Sequence, residues 1–197
     1  MTFARGLSAF PITPADDAGR VDTAALRRLV ARFCTAGVES IGLLGSTGIY
    51  MYLTRDERRR ALEAAVDEAA GRTPVIAGIG ALRTDEAVAL ARDARAIGAA
   101  ASLLPAVSYS PLTDDEVFEH FSTVARASGL PIVIYDNPGT THFRFTPELV
   151  DRLARLVGII AIKNPGWSPE DAARHLASQR AITPDGFSIG CSGDWLA

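Results

Sequence analysis

Nineteen of the twenty basic side chains in this 197-residue sequence are arginines; the other is Lys163, at the end of the apolar run Gly158-Ile159-Ile160-Ala161-Ile162. Arginine and lysine exchange freely on a solvated surface. A guanidinium, however, stays charged at any working pH, whereas an ammonium taken out of water gives up its proton readily and becomes a nucleophile. The one position that keeps lysine is therefore a candidate for covalent catalysis, most naturally as a Schiff base with a carbonyl substrate. A leftover surface lysine is the plain alternative, and the apolar run before it argues against that. Such an enzyme also needs a proton shuttle at the substrate oxygen and donors for a carboxylate. Tyr135 closes the run Pro131–Tyr135 and supplies a phenol able to relay a proton. A packing aromatic with its hydroxyl at a rim would look the same. Gly45-Ser46-Thr47-Gly48 sets two hydroxyls and exposed backbone N–H groups between glycines, which suits a small carboxylate, although an ordinary glycine turn reads alike.

The elements that must position these residues alternate from end to end. Short apolar runs occupy Leu7–Ile12, Ser40–Leu44, Pro74–Ile79, Ala101–Leu104, Pro131–Tyr135, Ile159–Lys163 and Phe187–Gly190. They recur about every thirty residues, one βα unit, and each is apolar on both faces, as parallel strands covered on both sides are. Six helical patterns lie between them. Asp22 opens the first; Thr54 with Glu57 and Thr113 with Glu116 have capping-box spacing. Thr84 precedes the acids Asp85 and Glu86, and Thr146-Pro147 and Ser168-Pro169 place proline just inside a cap. Gly37, Gly71, Gly98 and Gly129 close helices. No linker or charge block interrupts the series, so residues 1–197 read as one domain. Seven strands and six helices fit an open doubly wound sheet or an incomplete (β/α)8 barrel. The first βα turn lacks a glycine-rich pyrophosphate fingerprint, which favours the barrel.

In both architectures ligands bind at the C-terminal ends of the strands, and the reactive residues fall there. Strand two ends in Gly45–Gly48, strand four runs into Ser108-Tyr109, strand five ends in Tyr135-Asp136-Asn137-Pro138, strand six in Lys163-Asn164-Pro165, and strand seven in Ser192-Gly193-Asp194. A net charge of −3 with dispersed arginines gives no basic stripe, so nucleic acid is not an expected partner. No apolar run approaches the ~20 residues of a membrane span, and no signal pattern opens the chain. Cys34 and Cys191 lie far apart and His120, His142 and His175 are scattered, so no metal site is expected and the cysteines read as reduced. A cytoplasmic protein is the expectation.

The ordered set Phe10-Pro-Ile-Thr-Pro14, Gly19-Arg-Val-Asp22, Gly45–Gly48, Leu53-Thr-Arg-Asp-Glu57-Arg58, Tyr135-Asp-Asn-Pro138 and Ile160-Ala-Ile-Lys163 resembles the dihydrodipicolinate synthase / N-acetylneuraminate lyase family of class I aldolases over nearly the whole chain. The resemblance implies a (β/α)8 barrel, Lys163 as the Schiff-base lysine, Tyr135 as the tyrosine of a proton relay, and Ser46 and Thr47 as the hydroxyl pair of the strand-two loop. With Gly48, Thr140 and Gly193 these residues would bind a 2-keto acid, with an aldehyde as second substrate, and no cofactor is implied. Members are often dimers of dimers in which a tyrosine after strand four reaches the neighbour's site; Tyr109 is the candidate, and a homo-oligomer is expected.

Four features depart from the family pattern. Ser46 replaces a threonine, and Ile49 stands where a glutamate belongs. Thr140 occupies the position at which dihydrodipicolinate synthases carry a carboxylate-binding arginine, so lysine-biosynthetic activity is not expected. Members also run longer, with an eighth strand, the last barrel helices and a C-terminal helical segment. The expected activity is a lyase or aldolase acting on pyruvate or a related 2-keto acid, with a sugar-acid dehydratase as a close variant. The alternative is a catalytically inactive, truncated barrel fragment that serves as a folded or partner-bound domain.

Overall fold

The computed structural model describes residues 5–193. Seven strands run in chain order: β1 (Ser8–Ala9), β2 (Ser40–Leu43), β3 (Val75–Gly78), β4 (Ala101–Pro105), β5 (Ile132–Tyr135), β6 (Ile159–Asn164) and β7 (Ser188–Cys191). Every neighbouring pair is parallel and the sheet order is the sequence order. This is the topology of an incomplete (β/α)8 barrel, not of a doubly wound sheet, whose strand order reverses at a switch point. Among the described residues β1 pairs only with β2, and β7 only with β6.

The connecting helices are α1 (Thr23–Ala36), α2 (Arg55–Ala69), α3 (Thr84–Ile97), α4 (Asp114–Ser128), α5 (Pro138–Thr141), α6 (Pro147–Ala154) and α7 (Pro169–Ile182). Six match the expected patterns. The four-residue α5 and a 3-10 turn at Tyr50–Tyr52 are additions, each too short to leave a periodic signal.

Most caps form as expected: Asp22, Thr113, Thr146 and Ser168 accept from first-turn N–H groups, and Gly37, Gly98 and Gly129 close helices in the left-handed conformation. Three ends differ. Thr54 caps the Glu57 N–H, but the Glu57 carboxylate turns away to accept from the Val21 N–H (2.7 Å) and to pair with Arg60, so only half the capping box forms. Ala70, one residue before Gly71, takes the left-handed C-cap of α2. Thr84 lies inside α3 rather than capping it, and its hydroxyl meets His120 Nδ1 on α4 at 2.9 Å.

Two cores follow from the two faces of the sheet. Side chains alternate along a strand, and the larger core fills the layer between sheet and helices, with Leu26, Ile41, Leu104, Phe121, Ile134, Leu149 and Ile162 wholly buried. A smaller cluster (Ile76, Ala101, Leu103, Val133, Tyr135, Ala161) lies on the other face, inside the barrel, with Phe10 and Ile160 packed against it. Tyr135 and Lys163 share the parity of Val133 and Ala161 and point to this inner face.

Their pairing depends on one irregularity. Ile132 of β5 faces Ile159, yet Val133 faces Ala161, so Ile160 is the extra residue of a β-bulge. A slip of one residue moves a strand's side chains to the opposite face. The bulge brings Lys163 into register with Tyr135; without it Tyr135 would face Ile162.

Candidate active site

At the C-terminal end of the sheet, Lys163 Nζ lies 4.5 Å from the centres of both the Tyr135 and Phe10 rings and donates to Ser192 Oγ at 2.6 Å. An ammonium over a ring face is attracted by the ring's quadrupole. The Tyr135 hydroxyl, on a side chain only 5% exposed, lies 2.8 Å from Ser46 Oγ, and Asn137 Nδ2 donates to it, also at 2.8 Å. One cluster thus holds an amine, a phenol and two hydroxyls, contributed by β2, β5, β6 and β7.

Glycines make the cluster possible. A Cβ on Gly42 would lie 2.0 Å from the Phe10 ring, so only glycine in β2 lets that ring lie across the sheet toward Lys163. After β2 the chain turns through Leu44 in the left-handed region (φ 60°), a strain of about 1 kcal/mol or more for a bulky residue. Its carbonyl then fills the space over Gly78, where a Cβ would come within 1.8 Å. Gly48 closes the loop back on itself, with a Cβ there 3.0 Å from the Leu44 backbone. Close approach therefore already accounts for Gly48, whatever it binds.

Ile49, at the expected glutamate position, is also left-handed (φ 50°) and half-buried against the outer core. It starts the turn that buries Tyr50. The Tyr50 ring and Pro105 both crowd Gly80, where a Cβ would come within 2.5 Å of the ring, and the ring lies under the Arg58 guanidinium at 5.2 Å. Burial pushes the Tyr50 phenol up to about 12; Arg58 opposes the shift and Tyr135 adds to it. Arg58 donates to the carbonyls of Gly80 (2.8 Å) and Leu53 (3.2 Å), tying α2 to the ends of the 3-10 turn and β3. That contact gives the Leu53–Arg58 motif a structural purpose.

The remaining expected residues are more dispersed. Thr47 is exposed on the loop beside Ser46, and Thr140 is exposed on α5, where its N–H donates to the Asn137 carbonyl. Gly193 is half-buried just past β7, and Asp194 lies outside the described residues. Tyr109 is 98% exposed, so within one chain it is not part of the buried cluster. Sequence reasoning singled out neither Phe10, Asn137 nor Ser192 for a role. The glycine within β2 was the available signal for Phe10, because an interior strand glycine marks a close approach.

On the outer face of the same strand ends, Asp136 is buried with Oδ1 lacking a hydrogen-bond partner. Burial pushes its carboxyl up to about 6, against Arg144 and the Phe145 N–H. Asn164, wholly buried, exchanges amide hydrogen bonds with Gln179 of α7 (2.8 and 2.9 Å) and donates to the Gly190 carbonyl. Among the described residues no group of three or more His, Cys, Asp or Glu side chains is placed to hold a metal ion, and no helix is long and apolar enough to cross a membrane.

The sequence and the fold have known counterparts. The 4-hydroxy-tetrahydrodipicolinate synthase of Methylococcus capsulatus is 39% identical over 182 residues, 92% of this chain and 61% of that protein. The crystal structure of dihydrodipicolinate synthase from Agrobacterium tumefaciens superposes with a TM-score of 0.95 at 59% identity, covering 98% of this chain and 65% of that one. YagE of Escherichia coli K12, a prophage protein of the dihydrodipicolinic acid synthase family solved with pyruvate, gives 0.87 at 27% identity over 95% of this chain and 63% of its own. The chain thus spans about three fifths of the length of the curated relatives it matches. Residues 3–187 match the Dihydrodipicolinate synthetase family, and the chain belongs to that family.

Proposed function

We propose that this chain carries the imine-forming site of a pyruvate-type lyase or aldolase, in which Lys163 condenses with a 2-keto acid and the imine serves as the electron sink for making or breaking a carbon–carbon bond. One observation carries the reading: the only lysine of the chain lies over the ring of a tyrosine whose hydroxyl is bonded to Ser46. Tyr135 and Ser46 pass protons to and from the substrate oxygen. Thr47, the backbone around Gly48 and Gly193 bind the keto-acid carboxylate. Tyr109, fully outside the cluster of its own chain, serves a neighbouring subunit in a cytoplasmic homo-oligomer; light scattering and loss of activity in Tyr109→Phe check this. No cofactor takes part, since the lysine itself activates the carbonyl.

Borohydride reduction in the presence of pyruvate tests the reading. It should add one three-carbon unit at Lys163, located by mass spectrometry. Lys163→Arg should be as inert as Lys163→Ala, because arginine keeps the charge but cannot deprotonate. Labelling that persists in Lys163→Ala would refute the assignment, and an inert parent chain would favour a catalytically inactive fragment.

The aldehyde acceptor differs from aspartate semialdehyde in this proposal. A paired arginine–carboxylate contact supplies geometry as well as charge, and the Thr140 hydroxyl supplies neither. Condensation of pyruvate with aspartate semialdehyde should therefore be much slower than with an acceptor lacking that carboxylate. Equal rates would show that another group, such as Arg144, takes the arginine's place.

A further inference from the structure

The Tyr135 hydroxyl has two neighbours at 2.8 Å, Ser46 Oγ and Asn137 Nδ2. The contact with serine can run either way. The contact with the amide nitrogen cannot, because that nitrogen has protons to give and no lone pair to receive one. Asn137 therefore donates, the phenol oxygen accepts, and the single phenol proton is left to point at Ser46 or at a substrate oxygen.

Local structure explains why the Asn137 side chain is available for this. Asn137 holds the N-cap position of α5, where an asparagine side chain normally accepts from the first-turn N–H groups. Here it makes no such bond. Pro138 keeps Asn137 out of the helical region, at φ −145° and ψ 72°. The Asn137 backbone carbonyl meanwhile accepts from the N–H groups of Thr140 and Thr141 (both 2.9 Å) and from the Thr141 hydroxyl (3.1 Å). The backbone thus anchors α5, and the amide is turned back two residues onto the phenol.

We infer that Asn137 is a positioning residue for the proton relay: its amide holds the Tyr135 oxygen as an acceptor and so orients the phenol proton. The inference rests on the proposed imine chemistry. As Lys163 nitrogen bonds to the keto carbon, the carbonyl oxygen takes the phenol proton. The oxygen leaves as water after taking a second proton through the same phenol, replenished by way of Ser46. The two protons of that water derive in net from the amine, so the step balances as amine plus ketone to imine plus water. Each time Tyr135 gives up its proton, a fixed N–H faces the negative oxygen, and a charge-assisted bond of that kind is stronger than a neutral one.

Asn137→Leu removes the donor and keeps the branched outline of the side chain, with two methyls in place of the amide atoms; Asn137→Asp, the same shape with a charged acceptor in place of the donor, substitutes for it if the leucine variant does not fold. The rate of borohydride-trapped imine formation with pyruvate should fall about tenfold, the worth of one hydrogen bond, while half-saturation by pyruvate moves less than about twofold. In a Tyr135→Phe background the same change should cost less than about twofold, because the atom through which Asn137 acts is gone. Equal losses in both backgrounds would overturn the inference by showing that Asn137 serves α5 instead. With tyrosine labelled at the ζ-carbon, the resonance missing from Tyr135→Phe should shift in Asn137→Leu while the other three stay in place; an unmoved Tyr135 resonance overturns the inference too. A parent chain that traps no pyruvate overturns the functional reading and this one with it. A parent that traps pyruvate and is indifferent to Asn137 overturns this one alone.

Discussion

The arc from β2 to β5 and the flank formed by β7 and α7 are built from similar sequence patterns but packed very differently. Every residue of β2, β3, β4 and β5 is buried, whereas none of β7 is. The eight-residue α6 buries Leu149, Val150, Leu153 and Ala154; the fourteen-residue α7 buries nothing. The flank is held by the β6–β7 ladder, by Phe187 and Ile189 against the outer core, and by polar contacts: the reciprocal Asn164–Gln179 amide pair and the Arg180 bond to the Phe187 carbonyl at 2.7 Å. The site straddles the boundary. Tyr135 and Ser46 stand on the compact arc, while Ser192, the acceptor for Lys163, stands on the flank. The contrast teaches that one half of the site rests on buried strands and the other on a strand and a helix that bury little, so the two halves should differ in their tolerance to change.

The largest effect should come from the compact half of the site. Tyr135→Phe should slow turnover by about 10²–10⁴-fold with pyruvate binding largely kept, as loss of a general acid–base group does, whereas Ser192→Ala on the flank should cost about tenfold or less. Steady-state kinetics decide, and comparable losses would dissolve the distinction between the halves.

Packing should show the same asymmetry. Leu149→Ala should destabilise the fold by about 2–5 kcal/mol through the cavity it leaves. Leu176→Ala on α7, half-buried at most, should cost about 0.5 kcal/mol. Urea midpoints at constant slope measure both.

A smaller, pH-dependent effect should come from Asp136. Its folded carboxyl titrates at about 6, above the ordinary 3.8, so the folded state binds the proton more tightly than the unfolded chain. The penalty is absent below pH 4, grows as pH rises to 6, and is complete above that. Asp136→Asn should therefore match the parent at pH 4 and exceed it at pH 7, by up to about 3 kcal/mol for a shift of this size. Parallel stability profiles would mean the carboxyl finds a partner in solution.

The sequence carried most of the fold and only part of the site. Seven two-sided apolar runs and six well-capped helical patterns all appear as strands and helices, because period, length and cap chemistry are local properties. Lys163, Tyr135 and Ser46 were legible as residue types able to do chemistry at strand ends. Asn137 was not, because an asparagine before a proline reads as turn chemistry until its side chain is seen on the phenol. The diversion of Glu57 to Val21, which left the Thr54 box half-formed, was hidden for a similar reason: the partner is 36 residues away.

By itself the sequence determined the βα alternation, the singularity of Lys163 and the glycines that its loops require. Tertiary structure alone decided which face Lys163 takes. The bulge at Ile160 sets a register that depends on how β6 meets β5, and one residue of slip would turn the amine away from Tyr135. Tertiary structure also decided that a phenylalanine some 150 positions earlier would lie over that amine, since only the closed approach of β1 to β2 across Gly42 brings Phe10 there.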